Sequence, residues 1–160
     1  MRPRLSVPQR HFVQEFGNLY AAYGLKRLNG LIIGLLFSSE EPVSLGDIAR
    51  LLNRSKGLIS EAVRRLHSLG FIKKIEGPHS RRDYYTADES TFLNVFHFNM
   101  TTVRKNIALA DQFLHEIGTN RTSHTWKRRL QYMDAFYRQM NTFYASFERT
   151  WMQRKRTLKR

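Results

Sequence analysis

The sequence predicts a mainly α-helical fold with a small β-hairpin wing, organised as a winged helix-turn-helix followed by a helical dimerisation region. Three observations predict it. Two short, capped helical stretches flank a tight break at Asn53-Arg54, a strand–turn–strand segment with a basic tip follows them directly, and the last forty residues carry an unbroken apolar heptad. The chain has 160 residues, 41% of them hydrophobic, which is enough to bury a core. Its 27 Lys and Arg against 13 Asp and Glu give a formal charge of +14. On a chain that can fold, such an excess predicts a polyanionic partner. The excess is uneven: +2 over residues 1–24, +3 over 25–90, zero over 91–120 and +9 over 121–160.

Several chemistries are excluded early. With no cysteine there is no disulfide, no Cys-ligated metal centre and no thiol nucleophile. His11, His67, His79, His97, His115 and His124 show no metal-ligand spacing, no glycine-rich phosphate loop is present, and the acids form no evident pair. No catalytic residue, metal or cofactor is therefore assigned, and the chain is expected not to be an enzyme. The longest apolar run, Leu31 to Phe37, is too short to span a membrane, and no apolar stretch follows Arg2, Arg4 and Arg10. The expectation is a cytoplasmic protein that does not engage the membrane.

Residues 1–24 are assigned to an N-terminal helix or arm that joins the dimerisation region, and residues 25–89 to the DNA-binding domain. Leu25 to Phe37 reads as a helix because Leu28, Leu31, Ile32, Leu35 and Leu36 recur at helical spacing, and Gly30 and Gly34 predict close packing of a second helix. After Glu40-Glu41-Pro42, Ser44-Leu45-Gly46-Asp47 is a capping box opening a short helix. Ser55 caps the next helix, which runs to about Ser68 and stops at Gly70. Its inward stripe is Ile59, Ala62, Val63, Leu66 and Leu69. That turns Ser55, Lys56, Gly57, Ser60, Glu61, Arg64 and Arg65 toward solvent, a face that suits DNA: phosphates at the N-terminal amides and Lys56, base edges near Ser60, Glu61 and Arg64. Phe71–Ile75 and Tyr84–Thr86 are the strands of the wing, whose tip offers His79, Arg81 and Arg82 to the DNA backbone or minor groove.

Residues 90–160 are assigned to the helical dimerisation region, ending in a basic tail. Ser90 to Ile117 predicts one or two helices. Beyond them Trp126, Leu130, Met133, Tyr137, Met140, Tyr144, Phe147 and Trp151 are spaced alternately by four and three, a packing seam expected to build a homodimer. Phe136 and Phe143 widen that stripe, which predicts contact with more than one neighbour. The opposite face carries Lys127, Arg128, Arg129, Arg138, Arg149 and Arg154, followed by Lys155-Arg156 and Lys159-Arg160. Among Trp126, Tyr132, Tyr137, Tyr144 and Trp151 nothing singles out an aromatic cage for a cationic ligand.

The motif Ser55-Lys56-Gly57-x-x-Ser60, then Leu66-x-x-Leu69-Gly70-Phe71-Ile72, the hairpin run Arg81-Arg82-Asp83-Tyr84-Tyr85, and Ala87 resemble the glycine-betaine-regulator (GbsR) branch of the MarR-type winged-helix transcription factors. Gly24-Leu25 ahead of the Gly30–Phe37 helix fits the same branch. The resemblance covers about residues 10–118 and is most specific from Ser55 to Tyr85. It departs at the wing tip, where Pro78-His79-Ser80 stands ahead of Arg81 in place of the family's usual glycine–glutamate–arginine–lysine. The resemblance implies a homodimeric DNA-binding regulator, here expected to repress from a palindromic operator, with double-stranded DNA and a second copy as partners and an unidentified small-molecule effector as a third. The near-balanced charge of residues 25–90 keeps a second class in view, a winged-helix module that binds a protein partner or RNA.

Overall fold

The computed structural model describes residues 4–22, 24–77, 82–117 and 124–158. Along the chain run α1 (Val7–Ala22), α2 (Arg27–Ser38), β1 (Val43–Ser44), α3 (Leu45–Leu51), α4 (Lys56–Ser68), β2 (Lys73–Ile75), β3 (Tyr84–Thr86), α5 (Ser90–Ile117) and α6 (His124–Leu158). The fold class is the one predicted, mainly helical with a small antiparallel sheet. Two compact units divide after Val95, within the opening turns of α5. Residues 90–117 thus form one continuous helix.

In the first unit α2 is the centre of the core. Every residue from Gly30 to Leu36 is buried, as expected of a helix apolar on all sides. The paired glycines let α1 approach: a Cβ on Gly30 would lie 2.7 Å from the Phe16 carbonyl oxygen and 2.9 Å from the Gly17 Cα. Gly17 reciprocates, since a Cβ there would meet Leu31 at 2.7 Å. The close packing predicted from Gly30 and Gly34 is present, and Gly17 is its unforeseen half.

The sheet has the order β1-β3-β2, all antiparallel, with Val43 opposite Tyr85 and Lys74 opposite Tyr85 on the other side. β1 adds a strand to the predicted hairpin. Being central, β3 buries both Tyr84 and Tyr85, and the Leu45 amide donates to the Asp83 carbonyl, tying the start of α3 to the wing.

The second unit pairs the remainder of α5 with α6. Met100, Val103, Ala110 and Ile117 are buried along α5, and Phe96 lies 5.3 Å from Tyr144 and 5.0 Å from Phe147 between ring centroids. Arg138 bridges Asp134 on its own helix and Asp111 on α5, and His97 meets Glu148 at 2.7 Å.

Candidate nucleic-acid interface

The turn between α3 and α4 is fixed by its caps. Ser44 accepts the Asp47 amide at 3.1 Å and donates its hydroxyl to the Asp47 carboxylate at 2.7 Å, so the predicted capping box forms. α3 closes with Asn53 in the left-handed region, φ 51°, its amide donating to the Arg50 carbonyl and the Arg54 amide to the Ala49 carbonyl. That is a Schellman closure, and asparagine is the side-chain-bearing residue that tolerates it best. Two residues later the Ser55 hydroxyl accepts the Leu58 amide at 3.3 Å and opens α4.

The far end of α4 repeats the device with Gly70 at φ +72°: the Gly70 amide donates to His67 and the Phe71 amide to Leu66. The first turns of α5 then hold this end. Thr91, itself buried, donates to the Phe71 carbonyl at 3.0 Å, and the Asn94 amide donates to the Gly70 carbonyl at 2.6 Å. Both ends of α4 are therefore anchored, and the sequence had pointed only to the caps.

On α4, Ile59, Val63 and Leu66 are fully buried and Ala62 half-buried, which is the inward stripe expected. Ser55, Lys56, Gly57, Glu61, Arg64 and Arg65 are exposed together on the outer side, while Ser60 is half-buried at its margin. Arg82 is exposed beside the hairpin stem, whereas His79 and Arg81 lie outside the described residues. An open groove of about 490 Å³ runs along the turn, lined by Gly46, Arg50, Arg54, Ser55 and Lys56. It has the right elements for a phosphate: cations and the first free amides of a helix.

Three acids of this unit are paired with bases on α3 and the hairpin, away from the outer face of α4. Asp47 pairs with Arg50, Asp88 with Lys73 at 2.6 Å and Asp83 with Lys74 at 2.7 Å. Burial alone would raise the Asp47 carboxyl, but hydrogen bonds from Ser44 and Arg50 outweigh it, helped by the charges of Arg50 and Arg82, and hold it below the usual carboxylate range. The same contest ends further down for Asp88, whose hydrogen bonds from Lys73 and Ser90 overcome burial and hold it at about 2. Burial, then the neighbouring Asp83 charge, push the Tyr85 phenol up, and Lys74 and Arg64 oppose them, so Arg64 stands within electrostatic reach of the wing strand. Among the described residues Lys56, Arg64 and Arg65 are held by no ion pair.

The predicted seam is divided by the second unit. Leu130 is buried and Met133, Tyr137, Met140, Tyr144 and Trp151 half-buried, with Tyr144 against Phe96, while Trp126 and Phe147 remain exposed at 45% and 44%. Beside them Tyr132, Phe136 and Phe143 stand open to solvent. Among the described residues no three His, Asp or Glu side chains gather as a metal site, and no helix is long and apolar enough to cross a membrane.

Comparison with known proteins matches residues 25–87 to the family described as winged helix DNA-binding domain. Similar curated proteins include the HTH-type transcriptional repressor OpcR of Bacillus subtilis, 22% identical over 114 residues covering 69% of this chain and 62% of that protein. The HTH-type transcriptional regulator MmpR5 of Mycobacterium tuberculosis is 30% identical over 108 residues, 67% of this chain and 66% of the relative. The chain thus spans under two thirds of these relatives' own lengths. A solved structure described as the crystal structure of a transcriptional regulator is 26% identical with a TM-score of 0.77, over 91% of this chain and 99% of that one. Fold and sequence agree that residues 25–87 form a winged helix-turn-helix similar to the DNA-binding domains of that family.

Proposed function

We propose that this chain is a non-enzymatic, sequence-specific DNA-binding transcriptional regulator of the MarR type, in its GbsR branch, acting as a homodimeric repressor on a palindromic operator. The observation that carries this reading is α4: a helix anchored at both ends, apolar inward, with unpaired Lys56, Arg64 and Arg65 outward and a wing immediately behind it. Lys56, Ser55 and the Gly57 backbone receive a phosphate; Ser60, Glu61 and Arg64 read base edges in the major groove; Arg65 and the wing residues His79, Arg81 and Arg82 hold flanking backbone. The similarity to a named repressor supports the sign of regulation. Dimerisation is assigned to the open side of α6 together with residues 1–24, whose helix exposes Val7, Phe12 and Leu19. Two recognition helices then occupy successive major grooves, with half-sites about one helical turn apart.

Genome-wide capture of DNA fragments by the purified protein tests the reading. Recovery of a palindromic motif is the expected result. Capture that depends on fragment length alone, with no motif, would overturn sequence-specific regulation and turn attention to a protein or RNA partner for the same face.

A further inference from the structure

Resting on the reading of the chain as a DNA-binding regulator, we propose that the polar face of α6 is a second, sequence-independent binding surface for duplex DNA, separate from α4 and the wing. Lys127, Arg138 and Arg149 are spaced eleven residues apart, and Arg156 follows seven further on. Eleven residues are just over three full helical turns and seven are just under two, so these four side chains fall on one stripe of a 35-residue helix. Arg128 flanks it. From Lys127 to Arg156 the stripe extends about 44 Å at 1.5 Å per residue, longer than one turn of B-form DNA.

Three features give the stripe its occupant. First, its cations are exposed, and past Arg138 the residues between them include the small, uncharged Thr142 and Ala145; the one acid on the stripe, Asp134, is half-buried and paired with Arg138. Secondly, the nearby acids leave the other cations of the stripe free: Asp111 and Asp134 are both taken up by Arg138, Glu148 meets His97, and Glu116 accepts from Gln112. Among the described residues Lys127, Arg128, Arg149 and Arg156 have neither an ion pair nor a side-chain hydrogen bond within the chain. Thirdly, segment 121–160 holds +9 of the chain's +14, far more than solvation of a packing helix requires. Lys127, Arg149 and Arg156, unneutralised and in line with the paired Arg138, with Arg128 beside them, form a row of cations that complements a polyanionic rod. A lipid surface would need large apolar groups in the same face, and there the stripe offers only Met152.

The test compares the full chain with Lys127→Gln/Arg128→Gln/Arg149→Gln/Arg156→Gln, and with the lighter Arg149→Gln/Arg156→Gln, on a 40-base-pair duplex of arbitrary sequence across a salt series. Circular dichroism and thermal melting verify the fold of each. The proposal expects the fourfold variant to lose at least tenfold in affinity at moderate salt, with a salt slope shallower by about two to four, since each phosphate contact contributes about 0.9. The double variant should lose about half as much, and Lys127→Arg/Arg149→Lys/Arg156→Lys should bind as wild type. Unchanged affinity and slope in a folded fourfold variant would overturn the stripe while leaving α4 its role, which Arg64→Ala on a captured motif reports separately. Stripe-dependent binding to polyglutamate or anionic vesicles without stripe-dependent duplex binding would also overturn it. A wild type that binds no duplex removes both readings.

Discussion

Gly57 and Gly30 are both helical glycines, and opposite forces hold them. A Cβ on Gly30 would collide with the α1 backbone, so the fold itself requires that glycine. Around Gly57 nothing lies within 4 Å, and the position sits in the first exposed turn of α4. Glycine there costs about 0.5–1 kcal/mol relative to alanine, a cost that no contact within the chain offsets. Gly57→Ala should therefore raise the melting temperature while weakening operator binding several-fold, because the added methyl stands where a phosphate approaches. A variant with wild-type affinity would show that the backbone is not closely approached there. Arg64 and Lys56 divide the same face by role. Arg64→Ala should lose roughly 1–3 kcal/mol on the operator and relax preference at one base pair per half-site, as loss of a bidentate base contact does. Lys56→Ala should weaken operator and random duplex alike with a shallower salt slope. Competition titrations against both DNAs distinguish the two, and equal losses for both variants would remove Arg64 from base reading.

At the scale of elements, the junction between the wing and α5 makes an acid-sensitive joint. Asp88 accepts from Lys73 at 2.6 Å and from the Ser90 amide at 2.9 Å, and its folded-state pKa is about 2 against an ordinary 3.8. A carboxylate depressed by folding stabilises the fold fully above its unfolded pKa and loses that contribution as pH falls through the folded one. Melting temperature should thus decline between about pH 4 and pH 2, and Asp88→Asn should be less stable than wild type at neutral pH, with the gap closing over that window. A gap independent of pH would assign the loss to packing. How far the elements were legible depends on what defines each. α3 and α4 were readable because caps are local: Ser44, Asp47, Ser55 and Gly70 act on amides within a turn of themselves. β1 was not, since two residues carry no periodicity and Val43-Ser44 becomes a strand only by pairing with Tyr84-Tyr85, some forty positions on. Gly17 escaped for the same reason, its meaning lying in Leu31 across the interface. Thr91 and Asn94, which secure the end of the candidate recognition helix, are polar residues in a helix start and look ordinary until Phe71 and Gly70 are brought beside them.

For the molecule as a whole, α6 is the element whose surface exceeds what one chain can cover. The heptad in the sequence marks a wide apolar stripe but cannot say which half meets which neighbour. Within the second unit α5 covers the side bearing Leu130 and Tyr144, and the side bearing Tyr132, Phe136 and Phe143 stays exposed at 76%, 53% and 64%. Large aromatics on adjoining turns, left open, are what a second copy would bury, at about 1.5–3 kcal/mol for each ring. This separates two substitutions in neighbouring positions. Tyr144→Glu strikes the contact with Phe96 and should lower the stability of the helix pair whatever the oligomeric state. Phe143→Glu leaves that contact intact and places an unpaired charge on the open side. It should leave the circular dichroism spectrum unchanged, shift sedimentation from dimer to monomer, and abolish operator binding at concentrations where wild type saturates, because each half-site alone is held weakly. A folded Phe143→Glu variant that sediments as a dimer would place the dimer contact elsewhere, in residues 1–24 or along α5, where Phe98 and Leu109 are also exposed.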